Sequence, residues 1–263
     1  MDRLENMEKK NRNKKRYEKL DGIRGIALLN MMAYHIIWDL VYIYQVNWGW
    51  YRSRGAYLWQ QGICWTFIFL SGFCWSLGHH ALKRGVTVSL GGAVITLATL
   101  AVMPLNRVVF GVLTLTGACM LLMCLLDRWF KKLPAFVGLA ASAVLFGLTR
   151  NVNEGWLGFE KWKLYRLPSG LYQNIVTAFL GFPQEGFYST DYFSLIPWMF
   201  LFMAGYFLFR LVSGKKVMVL LEDSFLRPAE WLGKHSFEIY MVHQPAIYAV
   251  LEILFRVRGA MTI

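Results

Sequence analysis

Charge is what this sequence has least of. Only 17% of its 263 residues are Asp, Glu, Lys or Arg, where a soluble domain carries about 25%. Beside 56% hydrophobic residues and a mean hydropathy of +0.38, that scarcity excludes an ordinary water-soluble globule. Negative charge is scarcer still: 16 acidic residues stand against 28 basic ones, a formal net charge of +12. In a soluble protein that balance would raise nucleic acid as a partner. Here the basic residues gather at one end and in alternate loops, as the positive-inside rule expects, and no nucleic acid is called for. Cysteine is limited to Cys64, Cys74, Cys119 and Cys124, all within apolar runs. Their spacing matches no metal pattern, so no metal is expected and they read as small buried hydrophobes. No short apolar segment ends in a small-residue cleavage site, which argues against a removable signal peptide. No internal repeat is evident, which weakens an inverted-repeat transporter. The apolar runs do not alternate, which argues against a membrane barrel.

What is there is an all-α pattern: a polytopic membrane helix bundle with about seven transmembrane helices. The expected spans are 20–44, 56–77, 86–103, 108–126, 133–148, 193–212 and 232–255. Residues 1–19 form a basic arm with eight Lys or Arg, expected to be disordered or to lie on anionic lipid. Residues 20–255 form the membrane domain, and 256–263 a short tail. The third span is rich in Gly, Ala, Ser and Thr, which lets helices approach closely. Residues 149–192 form a long aromatic-rich loop. Its apolar piece 170–181 is too short to span and reads as re-entrant or interfacial. Basic residues favour one side of this layout, which predicts the N-terminus inside and the C-terminus outside. A cell membrane, plasma or inner, is the expected location. Homo-oligomerisation is compatible with all of this.

The first span, LDGIRGIALLNMMAYHIIWDL, carries the chemistry. Arg24, Leu28, Met31, His35 and Asp39 fall on one helical face. Arg24 and His35 are three turns apart, about 16 Å of rise. Ionisable groups within a span are costly and usually mark function. Asp39, one turn beyond His35, is a plausible orienting partner for one ring nitrogen. The other nitrogen is then free to act as base or nucleophile; a purely structural His–Asp bond is the alternative. At the inner end, Arg24 either pairs with Asp21 or binds an anionic group such as phosphate. The stretch WLGKHSFEIYMVHQP is a second polar helix. Ser236, Tyr240 and His243 share a face, Pro245 frees backbone groups near His243 and Gln244, and Lys234 and His235 stand at the inner mouth. Asp191 and Tyr192 stand at the outer mouth of the sixth span. Asp191 either caps that helix or contacts a substrate.

The segments DGIRGIALLNMMAYHIIWDL, FIFLSGF, GFYSTDYFSLIPW and WLGKHSFEIYMVHQP resemble the catalytic domain of the heparan-alpha-glucosaminide N-acetyltransferase family in its short bacterial form. The D-x-x-R-G opening with a following His also resembles the wider superfamily of membrane acyltransferases that O-acetylate polysaccharides. The resemblance implies transfer of acetyl from cytoplasmic acetyl-CoA to a sugar or glycan on the other side. It implies that His35 matches the active-site position and Arg24 the basic position near the acyl donor. The expected site is therefore His35, Asp39, His243 and Tyr240 for chemistry. Arg24, Lys234, His235 and Ser236 are expected to hold acetyl-CoA, and Asp191, Tyr192 and Gln244 the acceptor. Two other readings stay open. One is a proton-coupled transporter using His35, Asp39 and His243; the other is a non-catalytic scaffold.

Overall fold

A computed structural model of the chain describes residues 17–260. Residues 1–16, most of the expected basic arm, and 261–263, the end of the expected tail, lie outside the described residues. The fold is predominantly helical. The long helices are α1 (Glu18–Tyr42), α2 (Arg54–Trp75), α3 (Ala81–Val102), α4 (Val112–Phe130), α5 (Ala135–Thr149), α7 (Leu195–Val212) and α10 (Ser236–Ala260). Between α5 and α7 lie strands β1 (Trp156–Phe159) and β2 (Trp162–Arg166) and the short helix α6 (Ile175–Leu180). Between α7 and α10 lie α8 (Lys216–Leu220) and α9 (Arg227–Lys234).

Helices α1, α3, α4 and α7 and the segment Ala135–Glu154 are long and apolar enough to cross a membrane. The chain is a multi-pass membrane protein. α2 and α10, with 22 and 25 residues, are about 33 and 38 Å long at 1.5 Å per residue. They have the length to span but carry more polar side chains, such as Gln60, Gln61, Glu238 and Glu252. The helices are apolar outside and polar inside, as lipid demands. On α1, Ile23, Ile26, Leu29 and Ile36 are exposed, while Asp21, Leu28, Met31 and Asp39 are buried. Leu97 on α3, Leu125 on α4 and Phe136 on α5 are likewise exposed.

The chain forms two compact units, residues up to 66 with 212 onward, and residues 67–211. In the first, α1 packs on α9 at backbone distance. A Cβ on Gly25 would collide with the Ala229 carbonyl, and one on Gly233 with that of Asp21. The stretch between the sixth and seventh expected spans thus ends in a helix, α9. Glu230 builds it: the buried carboxylate accepts from Ser224 Oγ at 2.8 Å and from the amides of Phe225 and Leu226 at 2.9 and 3.1 Å. Those amides precede the first turn and would otherwise lack partners. Burial alone would raise the Glu230 pKa, but these donors, with Lys234 nearby, bring it below its ordinary value.

In the second unit, small residues set the α3–α4 contact, as the composition of the third span predicts. A Cβ on Gly92 would come within 2.6 Å of Thr114 Oγ1, and one on Gly117 within 2.6 Å of the Ser89 amide nitrogen. Arg210 on α7 closes the end of α4, donating to the carbonyls of Phe130, Lys131 and Leu133 at 2.5, 3.2 and 3.2 Å. The region 149–192 is ordered. β1 and β2 pair antiparallel, with an irregularity between Leu157 and Gly158. Asn151 Nδ2 donates to the Glu160 carbonyl at 2.9 Å and holds the hairpin turn. The apolar piece at 170–181 contains the tail of a 3-10 turn (Ser169–Leu171) and the short helix α6, whose start is closed by a reciprocal cap between Asn174 and Thr177.

Candidate active site

Within the first unit, α1 and α10 bring the two polar faces together. The rings of His35 and His243 lie 5.0 Å apart, centroid to centroid. Asp39 is fully buried, and Gln244 Nε2 donates to its Oδ1 at 2.8 Å. Tyr240 packs its ring 5.1 Å from that of His243. Five of the expected site residues, His35, Asp39, Tyr240, His243 and Gln244, thus form one cluster. Helical periodicity explains it: His35 and Asp39 share a face of α1, and Tyr240, His243 and Gln244 one of α10.

Two details differ from the expected arrangement. Asp39 takes Gln244 as its partner across the helix pair, and His35 makes no hydrogen bond among the described residues. Spacing along a helix guarantees that His35 and Asp39 are neighbours. It does not direct the short carboxylate towards the ring when a facing helix offers a donor. The second detail concerns His243. Its Nδ1 lies 2.6 Å from the Tyr240 carbonyl, an oxygen that can only accept. Nδ1 therefore carries the proton, and in the neutral ring Nε2 presents a lone pair.

Three buried atoms in this cluster lack a partner: Asp39 Oδ2, His243 Nε2 and Gln244 Oε1. With Asp39 as carboxylate, all three are hydrogen-bond acceptors. Buried acceptors without donors are costly. A ligand carrying N–H or O–H groups, if admitted between the helices, would satisfy them.

At the other end of α1, Arg24 Nη1 donates to Asp21 Oδ1 at 3.1 Å, and the Arg24 side chain keeps 24% exposure. Both sequence alternatives remain available to it, because a guanidinium has further donors. Lys234 Nζ lies 4.0 Å from Glu18 Oε1. The polar stretch 231–245 is two helices, not one. It breaks at His235, which ends α9 with φ −105° and ψ 23°. The His235 ring is held by the Trp231 carbonyl at 2.9 Å and packs on the Trp231 ring at 4.6 Å. Ser236 opens α10.

Asp191 and Tyr192 belong to the second unit. Asp191 does not cap its own helix. Its Oδ2 accepts from the Val112 amide, at 3.4 Å, and so closes the start of α4. Neighbouring bonds from Thr190 to the Arg107 carbonyl and from Phe193 to that of Phe110, 3.1 and 2.8 Å, fix the pairing. Removal from water lifts the Asp191 pKa to about 6, and the Val112 amide only partly offsets it. Tyr192 donates to the Ala178 carbonyl. Burial pushes its phenol up to about 12, with the Ser194 hydroxyl acting the other way. No group of metal-ligating side chains occurs among the described residues.

A family model described as "Heparan-alpha-glucosaminide N-acetyltransferase, catalytic" matches residues 16–245, a span that holds every residue of the α1–α10 cluster. No match emerges among curated proteins or among solved structures.

Proposed function

We propose that this chain, which belongs to the heparan-alpha-glucosaminide N-acetyltransferase catalytic family, moves an acetyl group across a cell membrane to a sugar or glycan. Membership makes it a transferase of a membrane acetyltransferase-type family that draws in general on acetyl-CoA. The proposal adds the route and the residues. About seven spans, with the N-terminus inside and the C-terminus outside, put Arg24, Lys234, His235 and Ser236 on the donor side. Arg24 and Lys234 hold donor phosphates there, and acetyl-CoA supplies the acetyl group as a thioester.

The observation that carries this reading is the trio of buried acceptors at Asp39, His243 and Gln244. An acceptor sugar brings the amine or hydroxyl hydrogens they lack. His243 Nε2, with its lone pair fixed by the Tyr240 carbonyl, orients the incoming N–H or O–H. His35 takes the proton as the acceptor attacks the acetyl carbon, or briefly carries the acetyl itself. The proton leaves with the thiolate as the C–S bond breaks. The Tyr240 hydroxyl donates to the developing oxyanion. Gln244 holds Asp39 in place, and Asp39 Oδ2 contacts the acceptor.

The test is turnover of acetyl-CoA by the purified protein with a panel of amino sugars and polysaccharides. His35→Ala should lower turnover by about 10²–10⁴-fold while donor binding and thermal stability hold. Near-normal turnover would move the base to His243. A wild type that turns over no acceptor would hand the cluster to the proton-coupled transporter.

A further inference from the structure

Residues 215–231, all in the first unit, leave large apolar side chains uncovered: Val217, Val219, Leu220, Phe225, Leu226 and Trp231 are exposed. Three bases stand among them. The side chains of Lys215, Lys216 and Arg227 are exposed and have no ion-pair partner among the described residues. We infer that this stretch is a lipid-docking surface, lying in the membrane interface with its apolar side chains among acyl chains and its bases on the headgroup phosphates of anionic phospholipid. The inference needs only that α1 crosses a membrane. It does not depend on the acetyl-transfer reading.

Contacts with α1 set the depth of the stretch. The Lys19 amide donates to the Leu221 carbonyl at 3.1 Å. A Cβ on Gly22 would collide with the Phe225 ring, and one on Gly25 with the Ala229 carbonyl. By helical rise, Lys19, Gly22 and Gly25 lie about 2, 6 and 10 Å from the start of α1. The 25 residues of α1 measure about 37 Å, against a hydrocarbon core of about 30 Å. Centred in the bilayer, α1 keeps a few ångströms of each end among headgroups. Residues 221–229 therefore run along α1 across the boundary between headgroups and hydrocarbon.

The two short helices are patterned for that depth. On α9, Ala229 and Gly233, one turn apart, are buried, whereas Arg227 and Trp231, also one turn apart, are exposed. On α8, Met218 is buried, whereas Lys216 and Leu220, one turn apart, are exposed. Each helix thus presents a base beside a large apolar side chain on its outer face. At an interface the apolar side chain enters the acyl layer and the basic chain reaches back to phosphate. The indole of Trp231, apolar in its body and polar at its N–H, suits the same level. In water, six such side chains in one surface stretch would stay uncovered, which soluble surfaces avoid. The acids of the stretch do not offset its bases. Asp223 pairs with Lys19 at 3.5 Å, Glu222 is half-buried and engaged, and Glu230 is buried under its donors. The surplus is positive and favours anionic over zwitterionic headgroups, by about fivefold for each base.

The test uses the full chain in nanodiscs of phosphatidylcholine, with and without phosphatidylglycerol. Hydrogen exchange of the 215–231 amides should slow by at least about tenfold when phosphatidylglycerol is present. In Lys215→Gln/Lys216→Gln/Arg227→Gln that slowing should vanish, while exchange in phosphatidylcholine alone and the Tm there stay at wild-type values. Independently, lipids brominated on their acyl chains should quench the part of the tryptophan fluorescence that Trp231→Phe removes. Equal exchange of the wild type in both lipids would overturn the inference, as would a triple variant that keeps the full phosphatidylglycerol effect or a Trp231 signal that brominated lipid leaves untouched. If millimolar coenzyme A slows exchange of the stretch in phosphatidylcholine and phosphatidylglycerol does not, the bases serve a soluble phosphate and lipid docking is rejected.

Discussion

Gln244→Ala tests the link between the two helices that carry the candidate active site. Gln244 Nε2 is the hydrogen-bond partner of a carboxyl with no solvent exposure, and the second oxygen, Asp39 Oδ2, already lacks one. Removing the amide leaves Asp39 without a hydrogen bond. A net hydrogen bond of this kind contributes about 1–3 kcal/mol, the upper end applying to a charged acceptor. For a chain of this size, 1 kcal/mol corresponds to a Tm shift of about 2–4 °C. Gln244→Ala should therefore lower Tm by about 2–12 °C, followed by tryptophan fluorescence in detergent. The Asp39→Ala and Asp39→Ala/Gln244→Ala variants complete a thermodynamic cycle. The double variant should be less destabilised than the two single losses added, with a coupling of about 1–2 kcal/mol. On the proposed reading, in which Gln244 Oε1 meets the acceptor, acetyl turnover should fall further than stability accounts for. The reasoning is refuted if the two losses simply add, or if Gln244→Ala leaves both Tm and turnover at wild-type values.

Two further outcomes follow from other sites. Asp191 has a folded pKa of about 6, above its ordinary 3.8. The folded state then binds the proton more tightly, and stability should fall as pH rises from about 4 through 6, by at most about 3 kcal/mol. Asp191→Asn keeps an acceptor for the Val112 amide and should remove that slope; a pH series of melting curves for both proteins checks it, and identical slopes would reject the assignment. Arg24→Ala should weaken acetyl-CoA binding with a loss that shrinks at high salt. Unchanged donor affinity by titration calorimetry would leave Arg24 as the partner of Asp21 alone.

How much of this was legible in the sequence depends on the range of the interaction involved. The long helices fall close to their expected positions, because an apolar run about 30 Å long has few other uses. The polar faces of α1 and α10 were legible for the same reason that helices have faces at all: His35 and Asp39, or Tyr240 and His243, repeat at the helical period. Side-chain partners were not legible. Asp39 turns to Gln244, 205 residues away, and Asp191 closes the start of α4, 79 residues away; no local pattern encodes either choice. The β1–β2 hairpin was hidden because its turn uses Glu160 at φ +51° in place of a glycine. Helix α9 was hidden because RPAEWLGK is short, begins Arg-Pro and carries three charged residues, and so reads as loop. Its signal was Ser224 ahead of Glu230, a cap whose hydroxyl donates to the carboxylate.

The glycine contacts between α1 and α9 have a consequence for which donors can be used. α9 is fastened to one end of α1 with no space for a side chain between them, and α10, which continues α9 after a single residue, meets α1 again at His35. The same stretch of chain thus grips the first helix twice. Sliding α1 along its axis would carry Gly25 off the Ala229 carbonyl and set residues with side chains against α9. The distance from Arg24 to His35 is then a ruler of set length. If Arg24 holds donor phosphates as proposed, that length would have to match the span from those phosphates to the acyl carbon, and donors with a shortened or lengthened arm should be misplaced at His35 even when their head groups bind well.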